Sequence, residues 1–340
     1  MSNPFSVIIE SLDHHGSGGK YVRKRDSRVS ILDIYAAKEI NSGLEALLVE
    51  TKPNLLTGID EWPQSEGFTV EIESVEGTRP GTATRICLLL SDKRFLTVFI
   101  TLGESICSRI QNEQDPRNAI KKIHDLLFTW QQFLKKNSPD GLSEQARVGL
   151  FGELEILKAL FLKNLNKTDA IQGWRGCRKA HQDFQYIDFA LEVKTTRAVT
   201  PETVSISNIR QLDDENINKL FLTVVNVEQN PTNGTSLQMQ VSEIKEILNG
   251  SSIGLFEEGL YEVGFIEGHT KLYESELYTI QSINHYAIAD GFPRILRSHI
   301  AEGVKHVKYK ISLGACNSYQ VENSLVLENI KKLKERIENE

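Results

Sequence analysis

The sequence predicts an α/β (α+β) protein in two parts. Residues 1–137 form a β-rich N-terminal domain closed by a helix, and residues 138–340 form an α/β domain with a C-terminal extension. Three observations carry this reading. Short β-branched or leucine-rich runs separated by turn residues fill residues 29–101. A helical spacing of apolar residues starts at Asp115-Pro116 and is stopped by Asn137-Ser138-Pro139-Asp140-Gly141. Beyond that stop, the order helix, strand, strand, strand, short helix, strand marks a core near residues 143–227.

Taken in order, Asn3 and Pro4 suit the N-cap and first position of a short helix over residues 3–12. His14 to Arg28, rich in glycine and basic residues, reads as a loop. VSILDIY, LEALLVE, FTVEIESV, TRICLLL and RFLTVFI then read as antiparallel strands, the last spanning Arg94–Ile100. The helix from Asp115 places Ile120, Ile123, Leu127, Trp130 and Leu134 at helical spacing. Ser143 caps the next helix, whose apolar face runs through Leu150, Leu154, Leu157 and Phe161. A loop with Gly173-Trp174-Arg175-Gly176 leads to two strands, DFQYI (183–187) and FALEVKTT (189–196). TVSISNIRQL reads as another strand, and LFLTVVNV is apolar enough to be a fully buried one. A helix over 240–249, a mixed tail to about residue 313 and a charged helix near 323–339 complete the chain, without internal repeats.

Composition narrows the function classes. The chain has 340 residues, 46 acidic against 39 basic, a net charge of −7 and 40% hydrophobic content, which describes a globular protein rather than a disordered or fibrous one. No apolar run approaches the ~18 residues of a membrane span, and the N-terminus lacks the basic start of a secretory signal. Cys87, Cys107, Cys177 and Cys316 are scattered, which gives neither a disulfide framework nor a zinc site and fits a reducing cytoplasm. An acidic net charge disfavours a non-specific nucleic-acid coat but leaves room for a nuclease with a local basic surface.

The chemistry concentrates in residues 181–196. Side chains alternate along a strand, so Glu192 and Lys194 share one face and Leu191 and Val193 the other. A hairpin turning near Ile187-Asp188 puts Asp183 opposite Glu192, about 5 Å apart at Cβ, and Phe184 opposite Leu191. Two carboxylates that close repel unless a cation sits between them. Oxygen-only ligands suit Mg²⁺, which lowers the pKa of a bound water and polarises a phosphodiester. Lys194 adds positive charge where the attacking water or the developing phosphorane needs it.

Asp183 and Glu192-Val193-Lys194 resemble the signature of the PD-(D/E)xK nuclease superfamily, an Asp on one strand and (D/E)xK on the next. GLFGELEIL at 149–157, Gly173-Trp174-Arg175-Gly176, LEVKTT and SISNIRQL are similar to PD-(D/E)xK-motif proteins of bacterial defence and restriction loci. The resemblance covers residues 143–212 and is thinner from Phe292 through YKISLGAC. It implies a restriction-endonuclease-like core, a mixed central sheet flanked by helices, and a Mg²⁺-dependent DNA endonuclease in which Mn²⁺ substitutes. Asp183, Glu192 and the Val193 carbonyl would then hold the metal, with Lys194 as the catalytic cation. Glu153, on the preceding helix, and Gln211, after the lysine strand, would support them. Gly149 and Gly152 would let that helix approach the sheet. No proline precedes Asp183, and the short Asp-to-Glu spacing leaves Asp188 as a rival first carboxylate. The alternative is a catalytically silent DNA-binding or assembly subunit of a multi-protein defence complex. Enzymes that cut both strands also often dimerise.

Each signal has a plainer reading. E-x-K occurs three times, at Glu50, Glu192 and Glu243, and only the middle copy has a partner Asp, an upstream Glu-bearing helix and a buried strand after it. Asp13-His14-His15 lacks a preceding strand and a second acidic motif, so it reads as a solvated loop. His181 adjoins the site, Cys177 has nothing to activate it, and Trp174 reads as a packing residue. Arg175, Arg178, Lys179 and Arg197 flank the candidate site and suit phosphate contacts. Two further basic clusters, Lys20 to Arg28 and Arg294 to Lys310, read equally well as solvated faces. No sequence-reading module is visible.

Overall fold

A computed structural model describes residues 4–12, 19–75, 84–136, 140–178, 180–198, 202–215, 217–266 and 269–338. Asp13-His14-His15, the turn at Thr78–Gly81 and Lys179 lie outside them. The chain divides into two compact units, Met1–Gly141 with Ile266–His269, and Leu142–Phe265 with Thr270–Glu340.

The first unit is an antiparallel sheet with helices. Helix α1 (Pro4–Glu10) precedes strands β1 (Tyr21–Arg25), β2 (Asp33–Glu39), β3 (Glu45–Thr51), β4 (Phe68–Ser74) and β5 (Thr84–Leu90), ordered β1-β2-β3-β5-β4. Helices α2 (Leu96–Ile110) and α3 (Pro116–Lys136) follow. Two expectations are corrected here. Residues 14–28 are not all loop: Tyr21–Arg25 pairs with β2, and its cations meet acids, Arg23 with Glu50 and Arg25 with Asp33. RFLTVFI is helical rather than a strand. Asp92 accepts from the Arg94 N–H at its start, and buried Val98, Leu102, Ile106 and Ile110 continue a helical period that a seven-residue run cannot reveal.

The second unit holds a mixed sheet. Helix α4 (Glu144–Ile156), N-capped by the Ser143 hydroxyl, runs through a π-helical turn at Leu157–Phe161 into α5 (Leu162–Asn164). Helix α6 (Lys167–Gly173) occupies part of the expected loop, capped by Asn166. Strands β6 (Phe184–Gln185), β7 (Phe189–Thr196), β8 (Thr203–Ile206), β9 (Lys219–Gln229) and β10 (Thr235–Ser236) follow, then helices α7 (Leu237–Ile247), α8 (Ser251–Val263) and α9 (Thr270–Glu274). Strands β11 (Leu277–Ala287), β12 (Tyr309–Ser312) and β13 (Gln320–Val321) lead to helix α10 (Asn323–Ile337).

The sheet runs β10-β11-β9-β7-β6, with β13 on β11; β7 and β9 are parallel and the other pairs antiparallel. Strand β8 lies off this sheet, paired with β12, so TVSISNIRQL is a short ribbon strand followed by a 3-10 turn. The mixed tail contains both α8 and the long β11. Leu191, Val193, Phe221 and Val225 pack under helical residues such as Leu154, Val241, Phe256 and Ile330. On the opposite face Ala190, Leu220, Leu222 and Val224 pack with Val204, Ile206 and Ile311 of the ribbon. The sheet is thus buried on both faces, which is why β9 reads as a continuous apolar run.

Candidate active site

The β6–β7 hairpin has the register read from the sequence: Phe184 pairs with Leu191 and Gln185 with Ala190. Continued by one residue, it sets Asp183 against Glu192. Strand β6 is the sheet edge, and beyond Phe184 the Asp183 side chain takes over from its backbone: Oδ2 accepts the Val193 N–H at 2.8 Å. A strand residue directs its N–H and C=O to the same side, so the Val193 carbonyl also leaves toward Asp183.

Outside β6, Trp174 makes an antiparallel bridge to Phe184, and the N–H groups of Arg175 and Gly176 donate to the Asp183 carbonyl at 2.7 and 2.9 Å. Glycine is required at 176, because a Cβ there would stand 2.6 Å from Asp183 Oδ1. Helix α4 approaches β7 at Gly152, where a Cβ would stand 1.9 Å from the Thr195 hydroxyl; Gly149 meets no such limit. This approach positions Glu153, whose Oε2 accepts from Trp174 Nε1 at 2.9 Å. The Trp174 indole therefore carries a polar role that its packing reading missed; its place in the Gly-Trp-Arg-Gly segment was the available signal.

Glu192 is 1% exposed. Lys194 Nζ donates to its Oε1 at 2.5 Å, while Oε2 is buried with no hydrogen-bond partner among the described residues. Electrostatics bind the group together. Burial, reinforced by Asp183, lifts the Glu153 carboxyl to about 8, against the opposing pull of Trp174 and Lys194. Burial raises Asp183 despite Lys194 and the Val193 N–H. Burial and then Asp183 push Glu192 well above the usual range. Burial alone would lower Lys194, but Glu192 and Asp183 outweigh it and hold the ammonium charged.

Among the described residues no three His, Cys, Asp or Glu side chains form a ready-made metal cluster. The donor chemistry nonetheless fits a hard divalent cation: carboxylate oxygens from two adjacent strands, a neighbouring carbonyl, and one buried oxygen, Glu192 Oε2, without a partner.

The remaining candidates fall elsewhere. Asp188 sits at the hairpin turn, ion-paired with Arg336 and accepting from Asn218 at 3.2 Å, away from Glu192. The Gln211 side-chain Oε1 accepts from the Ser207 N–H and hydroxyl at 3.0 and 3.1 Å, which ties the side chain to the 3-10 turn rather than to the carboxylates. Arg175 and Arg178 are exposed, and Arg197 is ion-paired with Glu144. His181 contacts Arg210 at 3.1 Å. Cys177 is buried, its thiol donating to the Trp174 carbonyl. Of the other E-x-K copies, Glu50 is a buried partner of Arg23 and Arg85, and Glu243 pairs with Lys158.

An acidic hairpin at the edge of a mixed sheet, joined by (D/E)xK on the inner strand and a helix-borne glutamate, places the chain in the PD-(D/E)XK class. It belongs to the family whose model is described as "Putative PD-(D/E)XK family member, (DUF4420)", which it matches over residues 6–314. No curated protein and no solved structure matches the chain. Among the described residues no helix is long and apolar enough to cross a membrane.

Proposed function

We propose that this protein is a Mg²⁺-dependent DNA endonuclease of bacterial defence or restriction, with Mn²⁺ as a substitute metal and residues 138–340 as its nuclease domain. The observation that supports this reading is the meeting of Asp183, Glu192 and Lys194 at a buried carboxylate, one oxygen of which has no hydrogen-bond partner among the described residues. Asp183, Glu192 and the Val193 carbonyl would hold the metal. When bound, such a cation supplies a more acidic water and a polarised phosphodiester. The residues do the rest. Lys194 keeps its proton and offers a fixed positive charge to the developing phosphorane. Glu153, fastened by Trp174, borders the carboxylates as a proton-holding group, and the exposed Arg175 and Arg178 engage phosphates. Gln211 holds the 3-10 turn after the ribbon strand through Ser207.

Plasmid DNA tests the reading. Wild-type protein nicks it with Mg²⁺ and not with chelator, and Glu192→Ala or Lys194→Ala lowers the rate by about 10²-fold or more. Unchanged activity in either variant removes these residues from the mechanism. A second reading, a silent DNA-binding or assembly subunit, draws on the Lys194 ammonium already occupying one oxygen of Glu192. Salt-sensitive DNA binding without Mg²⁺-dependent nicking selects it.

A further inference from the structure

A cleft of about 850 Å³ opens at the closed end of the β6–β7 hairpin, a size that suits a small ligand. Its walls come from α6, the hairpin turn, the start of β9 and the last turns of α10. Glu153, Asp183, Glu192 and Lys194 do not line it; Arg175 and Asp188 do.

The chemistry of the walls narrows the occupant. Arg336 is paired with Asp188, and Lys332 with Glu328. Among the described residues neither Arg175 nor Lys219 has a carboxylate partner, and the Asp169 carboxylate, which also lines the cleft, has no cation partner, so one more cation than carboxylate stands there unpaired. Tyr186, Phe189 and Leu333 give it an apolar, partly aromatic wall. The Tyr186 hydroxyl is buried with no hydrogen-bond partner among the described residues. It lies against Gly173, another lining residue, where a Cβ would stand 2.1 Å away. A largely apolar wall with the edge of an aromatic ring, and an excess of unpaired cation over carboxylate, together match a nucleotide, with its heteroaromatic base and its phosphate.

Continuity with the carboxylates points the same way. Gln185 lies two residues from Asp183 on the same strand face, about 7 Å along the strand, and lines the cleft. Arg175 lines it too, while its N–H bonds the Asp183 carbonyl. The α10 wall lies beyond residue 314, where the family match ends, so part of the cleft comes from outside the matched stretch.

We propose that this cleft is a nucleotide subsite that takes an unpaired base of the DNA strand beside the cleaved bond, with Arg175 and Lys219 on its phosphates and the base against the apolar wall that includes Tyr186. The proposal rests on the nuclease reading for its substrate. It is tested by fluorescence anisotropy in chelator, using a labelled blunt DNA hairpin and the same hairpin with a short unpaired tail. The tail tightens wild-type binding by about fivefold or more, the lower end of what one stacked base contributes. Lys219→Glu, at an exposed strand start, and Asn329→Trp, which fills the cleft from α10, each bring the ratio of the two affinities to about one. Melting temperatures of both variants guard against misfolding. Equal wild-type affinities, or a ratio kept in both variants, overturn the subsite. Plasmid nicking in parallel separates the two readings: nicking without tail preference removes the subsite alone, and tail preference without nicking removes the nuclease alone.

Discussion

At Gly152 the α4 backbone passes β7 with room for a hydrogen and no more, since a Cβ would collide with the Thr195 hydroxyl. Gly152→Ala is expected to push the helix outward, lowering stability by about 1–3 kcal/mol as overpacking does. Because Glu153 follows directly, DNA cleavage should fall more than the melting temperature accounts for. Gly149→Ala, with open space at its Cβ, should do neither; thermal denaturation and nicking assays on the pair check this. Trp174→Phe keeps an aromatic ring near Phe256 but removes the N–H to Glu153 together with part of a bicyclic ring that is 1% exposed. The expected result is a stability loss of about 2–3 kcal/mol, from the lost bond and the cavity together, measured by urea denaturation, with a clear drop in nicking rate.

At the scale of elements, Arg28 ties the turn after β1 to α2. It bonds Asp26 through Nε at 3.0 Å and NH2 at 2.6 Å, and reaches Glu104 through NH1 at 2.5 Å. Burial alone would raise the Asp26 carboxyl, but Arg28 outweighs it and holds the pKa below 3.8. A carboxyl depressed in the folded state contributes stability that is present above its unfolded pKa and lost as pH falls through the folded value. Asp26→Asn should therefore cost stability at neutral pH, and the difference from wild type should shrink as pH falls below about 4. Denaturation midpoints at pH 7 and at pH 3 measure it.

The same scale explains what was legible in the sequence. The hairpin register could be read because one pairing sorts Phe184 and Leu191 to the core and the acids away from it, and a slip of one residue would invert that sorting. Helix α3 and the Ser143 cap were legible from period and capping chemistry. Helix α2 was misread because a seven-residue run with five apolar residues has no distinguishing period, and β1 because Tyr-Val-Arg-Lys-Arg looks like a solvated loop until β2 and its acids stand beside it. Asp183, Glu192 and Lys194 follow from strand alternation, whereas Glu153 came from the resemblance to the family. The Gln211–Ser207 closure and the Asp188–Arg336 pair depend on residues whose approach no local pattern encodes.

Over the whole molecule, a net charge of −7 makes DNA binding a local affair. Many basic residues are already engaged: Lys20, Arg23, Arg25 and Arg28 with acids of the first unit, and Arg294 with Asp214 in the second. The N-terminal basic cluster thus loses much of its electrostatic reach, while in the C-terminal one only Arg294 is paired among the described residues. With Arg175, Arg178 and Lys219 among the cations left near the site, the logarithm of the affinity for duplex DNA should fall against the logarithm of salt with a slope of only about −2 to −4. Anisotropy titrations across a salt series read the slope directly, and a much steeper one would mean that further cations take part.

The bond from the Val193 N–H to the Asp183 carboxylate makes one side chain stand in for a missing strand. Truncating it strips β7 of a hydrogen-bond acceptor on its open flank and leaves a bare edge inviting another chain to pair there. Asp183→Ala would then confuse lost chemistry with self-association, whereas Asp183→Asn keeps an acceptor oxygen in place and isolates the charge.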